Sequence, residues 1–248
     1  MTSSNTALRA PVLVGPGRVG RSLASAIGGS ELRGREDGLD GLEGGTVLLC
    51  VPDAAIAAVA AEIGRGPRPS LIGHASGATP LAALGDSGTG GAFSVHPLQT
   101  VPDGVTDLRG CPAAVAGTTP EALAAAHAIA KRAGMRPFEV AEGDRVLYHA
   151  AASVASNFLV ALEQTAAELL GGIAVDAPRE VLAPLVRRSL ENWIERGPSA
   201  LTGPIARGDE TTVAAHRAAL SESRPDLVGF YDALAERTRA LASEGCVR

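Results

Sequence analysis

A chain of 248 residues that is 46% apolar and 20% charged is long enough for one large domain or two modest ones, and too apolar for a disordered protein. Its net charge of −5 comes without a block of basic residues, which argues against nucleic-acid binding. Cys50, Cys111 and Cys246 are far apart and form no CxxC pair. The sequence therefore predicts a reducing compartment, no disulfide framework and no zinc site.

The first ten residues, "MTSSNTALRA", contain no apolar run of the length that a signal peptide needs. The strongest apolar stretch, "TVLLCVPDAAIAAVAA", is interrupted by Pro52 and Asp53, and no stretch is expected to reach the length of a membrane span. We therefore expect a cytoplasmic protein.

Up to residue 142, short apolar runs alternate with helical segments. Helices are predicted after Gly17, after Pro52 and over 119–133. The runs are bounded by Gly, Pro or Ser, as strands are, and lie at 11–15, 46–51, 70–76, 91–96, 112–117 and 136–141. This alternation predicts an α/β fold: a Rossmann-like, doubly wound and mostly parallel sheet in residues 1–142.

After Glu142 the sequence shows no convincing strand, so residues 143–248 are predicted to form an all-α domain. A long helix is expected over about 144–171, ending at Gly171-Gly172. A second is expected over about 177–196, and Gly197-Pro198 ends it. After the loop "PSALTGPIARGDE", two more helices are expected over about 210–221 and from Pro225 to about 243. Asp209 is predicted to cap the first of these two.

The stretch "VLVGPGRVGRSLASAI" carries Gly15-x-Gly17-x-x-Gly20 between a strand and a helix. Gly15 would allow the tight turn, Gly17 would let a pyrophosphate approach the backbone, and Gly20 would let the helix pack on the strand. Pro16, Arg18 and Val19 complete the turn. This context predicts a dinucleotide site, with the phosphates at the helix N-terminus. A glycine-rich turn that binds no ligand is the alternative.

Only "GGSELRGREDGLDGLEGG" separates the first helix from the next long strand, so the second strand is expected to be short, within "ELRGR". Arg33 and Arg35 are placed to meet the 2′-phosphate of NADP, with Arg35 preferred. Glu36 and Asp37 could instead bond the ribose diol of NAD. NADP is the expected cofactor, and NAD stays open.

Polar residues follow several of the predicted strands, at the edge where ligands bind in parallel sheets. Asp53 is expected to cap the next helix. No metal motif is present, because His74 and His96 are not at ligand spacing and HExxH is missing. The residues that follow the strands are Val51, Pro52 and Asp53; His74, Ser76 and Gly77; and His96, Gln99 and Thr100.

In "YHAAASVASNF", His149, Ser153 and Asn157 recur at every fourth position, which places them on one face of the predicted long helix. Ser and Asn are poor helix-interior residues, and buried ones need partners. The stripe therefore predicts a substrate-binding face, or a polar contact in a dimer interface. Tyr148 lies on a different face and is expected only to pack.

Six motifs in this order, GPGRVG, CVPDAAI, IGHASGA, SVHPLQT, YHAAASVASNFLVAL and LTGPIARGD, resemble a little-characterised bacterial family. That family has a Rossmann-like N-terminal domain and a helical C-terminal domain of unknown function. It is similar to ketopantoate reductase, pyrroline-5-carboxylate reductase and the β-hydroxyacid dehydrogenases, with a helical domain like that of 6-phosphogluconate dehydrogenase. The resemblance covers about residues 11–240.

This resemblance implies NAD(P)-dependent reduction of a small 2-oxo or imino acid by a protein that dimerises through its helical domain. It implies that Val51, Pro52, Asp53, Ser76 and Gly77 line the cofactor site.

The long helix of the resembled enzymes carries Lys-x-x-x-Asn, in which Lys is the acid/base and Asn positions substrate. Asn157 matches that Asn, but Ser153 stands where the Lys is expected. Lys131, the only lysine of the chain, lies on an earlier helix. The proton donor would then be His149 or His96.

The departure at Ser153 also favours a different class of protein. A chain that kept the fold but lost the acid could be a catalytically silent protein that binds a nucleotide or a metabolite.

Overall fold

The computed structural model of this chain describes residues 10–245. Most of the segment "MTSSNTALRA" and Cys246 lie outside the described residues. The chain forms two compact units, one through Leu159 and one from Val160 onward. The last strand ends at Glu139 and helical structure begins at Glu142.

A sheet with the strand order β2-β1-β3-β4-β5-β6-β7 forms the centre of the first unit. Neighbouring strands are parallel except β5 and β6, which pair antiparallel. As the sequence predicted, β2 is very short. The strands are β1 (Val12–Val14), β2 (Leu32–Arg33), β3 (Thr46–Leu49), β4 (Leu71–His74), β5 (Ala92–Pro97), β6 (Pro112–Gly117) and β7 (Arg136–Glu139).

Helices cover both faces of this sheet. On one face α1 (Arg18–Ile27) and α3 (Pro120–Arg132) bury apolar side chains such as Leu23 and Ile129 against Leu13 and Leu48. On the other face α2 (Asp53–Ile63) packs Ile56 against Val47 and Leu49. This arrangement confirms the predicted Rossmann-like, mostly parallel sheet.

The long helix that follows β7 contains one irregular turn. Its parts are α4 (Arg145–Ser153), a π-helical turn (Val154–Phe158) and α5 (Leu159–Gly172), and its end agrees with the stop predicted at Gly171-Gly172. A π turn holds one residue more than an α turn, and such turns are frequent at functional sites. The predicted four-residue spacing is therefore changed beyond Ser153.

The second unit is helical, as predicted. Its elements after α5 are α6 (Pro178–Arg196), α7 (Gly203–Ala206), α8 (Glu210–Ser223) and α9 (Val228–Gly245). The stretch predicted to be a loop thus contains the short helix α7. Asp209 caps α8 as predicted, because its side chain accepts a hydrogen bond from the Thr212 N–H at 3.0 Å.

One helical stretch among the described residues, Glu142–Gly172, is long and apolar enough by length and composition to cross a membrane. The expectation that no stretch reaches this length was therefore wrong, because small alanines raise the mean hydropathy without forming a visible apolar block. Within the first unit, the start of this stretch is hydrogen-bonded to the sheet through Arg145. That contact attaches it to a folded domain.

Candidate functional site

The turn between β1 and α1 needs glycine at two positions for packing. Gly15 has a φ of +113°, and a Cβ added there would lie 2.7 Å from the Cys50 carbonyl oxygen. A Cβ on Gly20 would overlap the Gly15 carbonyl oxygen. A Cβ on Gly17, in contrast, would come no nearer than 4.0 Å to its closest neighbour. Free space therefore lies at Gly17, where the N-terminus of α1 presents unpaired N–H groups.

A cavity of about 460 Å³ opens at this turn, and we name it the glycine-turn cavity. It lies at the carboxyl ends of β1 and β3, where the strand order reverses and where parallel sheets bind ligands. Six of the residues predicted to bind cofactor line it: Gly15, Pro16, Gly17, Arg35, Val51 and Pro52.

The two candidate arginines at and after the end of β2 differ in whether they already have hydrogen-bond partners. Arg33 donates to the Glu31 carboxylate at 2.7 Å and to the Asp40 carbonyl oxygen at 2.6 Å, so its guanidinium is engaged. Arg35 is exposed and makes no hydrogen bond or ion pair with the described residues. Asp37 accepts the Gly34 N–H at 2.6 Å. Arg35 is thus the cation of this loop that is available to a ligand of the cavity.

A second cavity of about 290 Å³, the rim cavity, lies next along the sheet edge. The remaining residues predicted to bind cofactor line it, apart from Gly20, which packs in the turn. They are Arg18, Val19, Asp53, Ser76 and Gly77, and His96 and His149 line the same cavity.

Asp53 and Ser76 are joined in a partly buried hydrogen-bond network. The Ser76 hydroxyl donates to the Asp53 carboxylate at 2.8 Å, and it accepts the backbone N–H of Thr79 at 3.0 Å. The prediction that Asp53 caps α2 was wrong, because the N-cap is Pro52 and Asp53 is the first residue of the helix. The carboxylate instead fixes the loop after β4.

Gly77 allows two imidazoles to approach the backbone. A Cβ added to Gly77 would lie 2.7 Å from Cδ2 of His149 and 2.8 Å from Cε1 of His96. The two rings are 5.9 Å apart, centroid to centroid, and meet edge to face. Any side chain at position 77 would push these rings out of place.

A third cavity, of about 520 Å³, lies against the long helix, and we name it the helix cavity. His149, Ser153 and Asn157 all line it, as does Ser156, which sequence reasoning missed. The π turn places Ser156 and Asn157 together, and the Ser156 hydroxyl lies 3.1 Å from Oδ1 of Asn157. His96, Gln99 and His149 line both this cavity and the rim cavity, so the two adjoin.

Tyr148 also lines the helix cavity, contrary to the expectation that it only packs. Its hydroxyl lies 2.6 Å from Nδ1 of His96, and the two rings meet edge to face at 5.6 Å. Burial lowers the pKa of His96 to about 4, with further contributions from His149 and Arg145. Burial raises the pKa of Tyr148 to about 12. Both groups are therefore uncharged at neutral pH.

Arg145 is a second residue that sequence reasoning missed. Its guanidinium is buried, and it donates to the Ser94 hydroxyl at 2.5 Å, to the Ser76 carbonyl oxygen at 3.2 Å and to the Glu142 carboxylate at 3.2 Å. Glu142 also accepts the Leu81 N–H at 2.6 Å. These bonds hold the start of α4 on the sheet edge and so position Tyr148 and His149.

His74 does not line these three cavities. It is fully buried at the end of β4, and neither ring nitrogen has a hydrogen-bond partner within the described part of the chain. Burial, reinforced by the charge of Arg145, lowers its pKa to about 4. Among residues 10–245 no group of three or more His, Cys, Asp or Glu is arranged to hold a metal ion.

Comparison with known proteins gives a family and a fold. The profile of a family described as "Domain of unknown function (DUF2520)" matches residues 111–238. A candidate NADP oxidoreductase from Bacteroides fragilis is 23% identical, with a TM-score of 0.78 and an alignment covering 94% of this chain and 98% of that one. No curated protein matches significantly.

Two further solved structures show the same fold. A protein from Thermotoga maritima is 21% identical, with a TM-score of 0.79, and the alignment covers 95% of this chain and 99% of that one. The pyrroline carboxylate reductase of Plasmodium falciparum, solved with NADP bound, is 13% identical, with a TM-score of 0.57 and coverage of 95% and 99%. The chain therefore has the fold of nicotinamide-dependent oxidoreductases, as the six motifs implied.

Proposed function

This chain belongs to the family described as domain of unknown function DUF2520, and on that premise we propose that it is an NADP-dependent oxidoreductase that reduces a small 2-oxo or imino acid. The observation that carries the proposal is the series of cavities along one edge of the sheet. The glycine-turn cavity and the rim cavity suit a dinucleotide, and the helix cavity adjoins the rim cavity at His96 and His149.

The residues at the glycine turn fit a dinucleotide. The open space at Gly17 faces the N–H groups that begin α1, which suits a pyrophosphate. Val51 and Pro52, followed by Asp53, Ser76 and Gly77 in the rim cavity, would border the nicotinamide. When bound, the reduced nicotinamide would supply the hydride.

The loop after β2 favours NADP over NAD. Arg35 is unpaired within the described residues and lines the cavity, so it can bind a 2′-phosphate. Asp37, which could have bonded a ribose diol, already accepts the Gly34 N–H.

The helix cavity would receive the substrate. Asn157 would orient it, with Ser153 and His149 beside it. The described lining contains imidazole, hydroxyl and amide groups but no Arg, Lys, Asp or Glu. We therefore place the reacting carbonyl or imine carbon there, rather than the substrate carboxylate.

Binding of the cofactor by calorimetry tests this assignment. We expect NADPH to bind more tightly than NADH, because Arg35 would pair with the 2′-phosphate. Arg35→Gln should weaken NADPH binding by roughly ten- to a hundredfold, the value of a charged hydrogen bond, and should change NADH binding little. Arg65→Gln, which removes an exposed arginine elsewhere, is the matched control. Failure of both nucleotides to bind would contradict the proposal.

A catalytically silent binding protein is the second candidate, and Ser153 favours it, since the resembled enzymes carry a lysine there. The discriminating assay follows NADPH oxidation with a panel of 2-oxo acids and cyclic imines that includes ketopantoate. Turnover of any member supports the reductase. Tight NADPH binding without turnover of the panel supports the silent protein.

A further inference from the structure

Tyr148 and His96 form a hydrogen-bonded pair where the rim cavity and the helix cavity adjoin. The Tyr148 hydroxyl lies 2.6 Å from Nδ1 of His96, although 52 residues separate the two in the chain. Tyr148 also packs edge to face on Phe138, at 6.0 Å between ring centroids. The phenol is thus held at a fixed position in the lining of the helix cavity.

Reduction of a carbonyl or imine leaves negative charge or a basic lone pair on the heteroatom, which a proton donor must neutralise. Of the residues lining the helix cavity, Tyr148, His96 and His149 are capable of that task, whereas Ser153 and Asn157 are too weakly acidic at neutral pH. His96 is held neutral by burial, so it is not a charged acid. His149 has a ring contact with His96, but within the described residues it has no hydrogen-bond partner that would fix its ring nitrogens.

We propose that Tyr148 is the catalytic acid of the reductase and that His96 positions the phenol and stabilises the phenolate. This inference rests on the proposed function. The phenol O–H bond breaks and its proton passes to the substrate oxygen or nitrogen, while the hydride and its two electrons come from the reduced nicotinamide. The phenolate then takes a proton from solvent through the open cavity, so charge and atoms balance.

The proposal assigns a tautomer to His96. A neutral imidazole carries one proton on its ring, and that proton must lie on Nδ1 to donate to the phenolate. The phenol O–H is then free to point into the cavity. The other charged or titratable groups that face His96 are Arg145 and His149 from α4, Asp53 from α2 and His74 from β4.

The chain supplies its own matched control. It has two tyrosines, and the second, Tyr231, forms the same kind of pair in the other unit. Its hydroxyl lies 2.9 Å from Nδ1 of His216, and the rings meet edge to face at 6.0 Å. Tyr231→Phe removes an equivalent hydrogen bond that involves no residue of the candidate site.

The first experiment measures ionisation of Tyr148 without substrate or cofactor. In Tyr231→Phe protein labelled with fluorotyrosine, a single fluorine reports on Tyr148 by ¹⁹F NMR. If Nδ1–H donates to the phenolate, His96→Leu should raise the apparent pKa by about one unit, because the phenolate loses its donor. His96→Asn, which keeps an N–H near the position of Nδ1, should hold the pKa near its wild-type value. A fall of the pKa in His96→Leu would mean that His96 only accepts, and would overturn the proposal.

The second experiment measures turnover. Tyr148→Phe should lower kcat by a hundredfold or more, the usual contribution of a general acid, and leave the Kd for NADPH within about twofold. Tyr231→Phe should leave both quantities unchanged. If Tyr148→Phe keeps at least half of the wild-type kcat, Tyr148 is not the acid, although the reductase assignment stands. If wild-type protein binds no NADPH, the proposed function and this inference fall together.

Discussion

At the scale of single residues, burial controls the charge of the candidate site. His74 and His96 lie on neighbouring strands, and burial is the main cause that lowers the pKa of each to about 4. Arg145 reinforces both shifts. The site therefore holds neutral imidazoles beside a buried guanidinium.

These two histidines predict how stability depends on pH. Above about pH 6.5 they are neutral in both the folded and the unfolded chain, so they make their full contribution to the free energy of unfolding. As the pH falls from about 6.5 to about 4, only the unfolded chain takes up protons, and the free energy of unfolding decreases. Urea denaturation should show a loss of roughly 2–4 kcal/mol between pH 7.5 and pH 5.

His74→Leu separates this effect from the titration of other groups. The variant should show a flatter pH dependence, since its unfolded chain takes up one proton fewer in that range. His127→Gln, which removes a ring that pairs with Glu139 at the surface, is the matched control. An equal slope in wild type and His74→Leu would contradict the assignment.

At the scale of elements, the long helix carries the site because its first turn is bonded to the sheet edge. Arg145 reaches Ser76 and Ser94, which are 69 and 51 residues away in the chain. The π turn then brings Ser156 beside Asn157 in the cavity lining. His149 and Ser153 line the same cavity, so the predicted stripe and the π turn share one surface.

We expect Arg145→Met to cost about 2–4 kcal/mol of stability, because it leaves the buried Ser94 hydroxyl and the Ser76 carbonyl without partners. Arg145→Lys keeps the charge but not the three hydrogen bonds, so its loss of stability should be smaller than that of Arg145→Met. Arg188→Met is the matched control, since Arg188 pairs with Glu191 at the same three-residue separation but at the surface. That variant should cost less than about 1 kcal/mol. Equal losses in the two methionine variants, measured by urea denaturation, would refute the role of Arg145.

At the scale of the whole molecule, most of the exposed large apolar side chains lie between Val146 and Ile194, on α4 to α6 and the segments joining them. They include Phe158, Leu185 and Trp193. Large exposed apolar surfaces on soluble proteins often mark interaction sites. We propose that a second copy of this chain covers them, as the resemblance to dimerising reductases implies.

Sedimentation should therefore find a dimer at micromolar concentration. Leu185→Glu should shift it toward monomer, whereas Val105→Glu, at another exposed apolar residue in the loop between β5 and β6, should not. The single tryptophan, Trp193, gives a second signal, because its emission should move to longer wavelength on dilution. A monomeric wild type at all concentrations would contradict the proposed dimer.

Much of the fold was predictable from local patterns. Every strand except β2 arises from an apolar run bounded by residues that break regular structure, and the helical half is recognisable because such runs stop after β7. The glycine turn was predictable for the same reason, since its chemistry lies within six neighbouring residues. The cap of α2 was predicted wrongly, because the Asp53 carboxylate has a partner in Ser76 that no local pattern reveals.

By itself the sequence determined the doubly wound sheet, the short β2, the glycine turn and the helical second half, because periodicity and turn chemistry act between near neighbours. The tertiary structure alone decided that Tyr148 meets His96, that Arg145 is buried against Ser94, and that Gly77 accommodates two imidazoles. These contacts join residues that are 19 to 72 positions apart in the chain. Packing of the whole unit brings these residues together, so no local sequence pattern could have predicted the contacts.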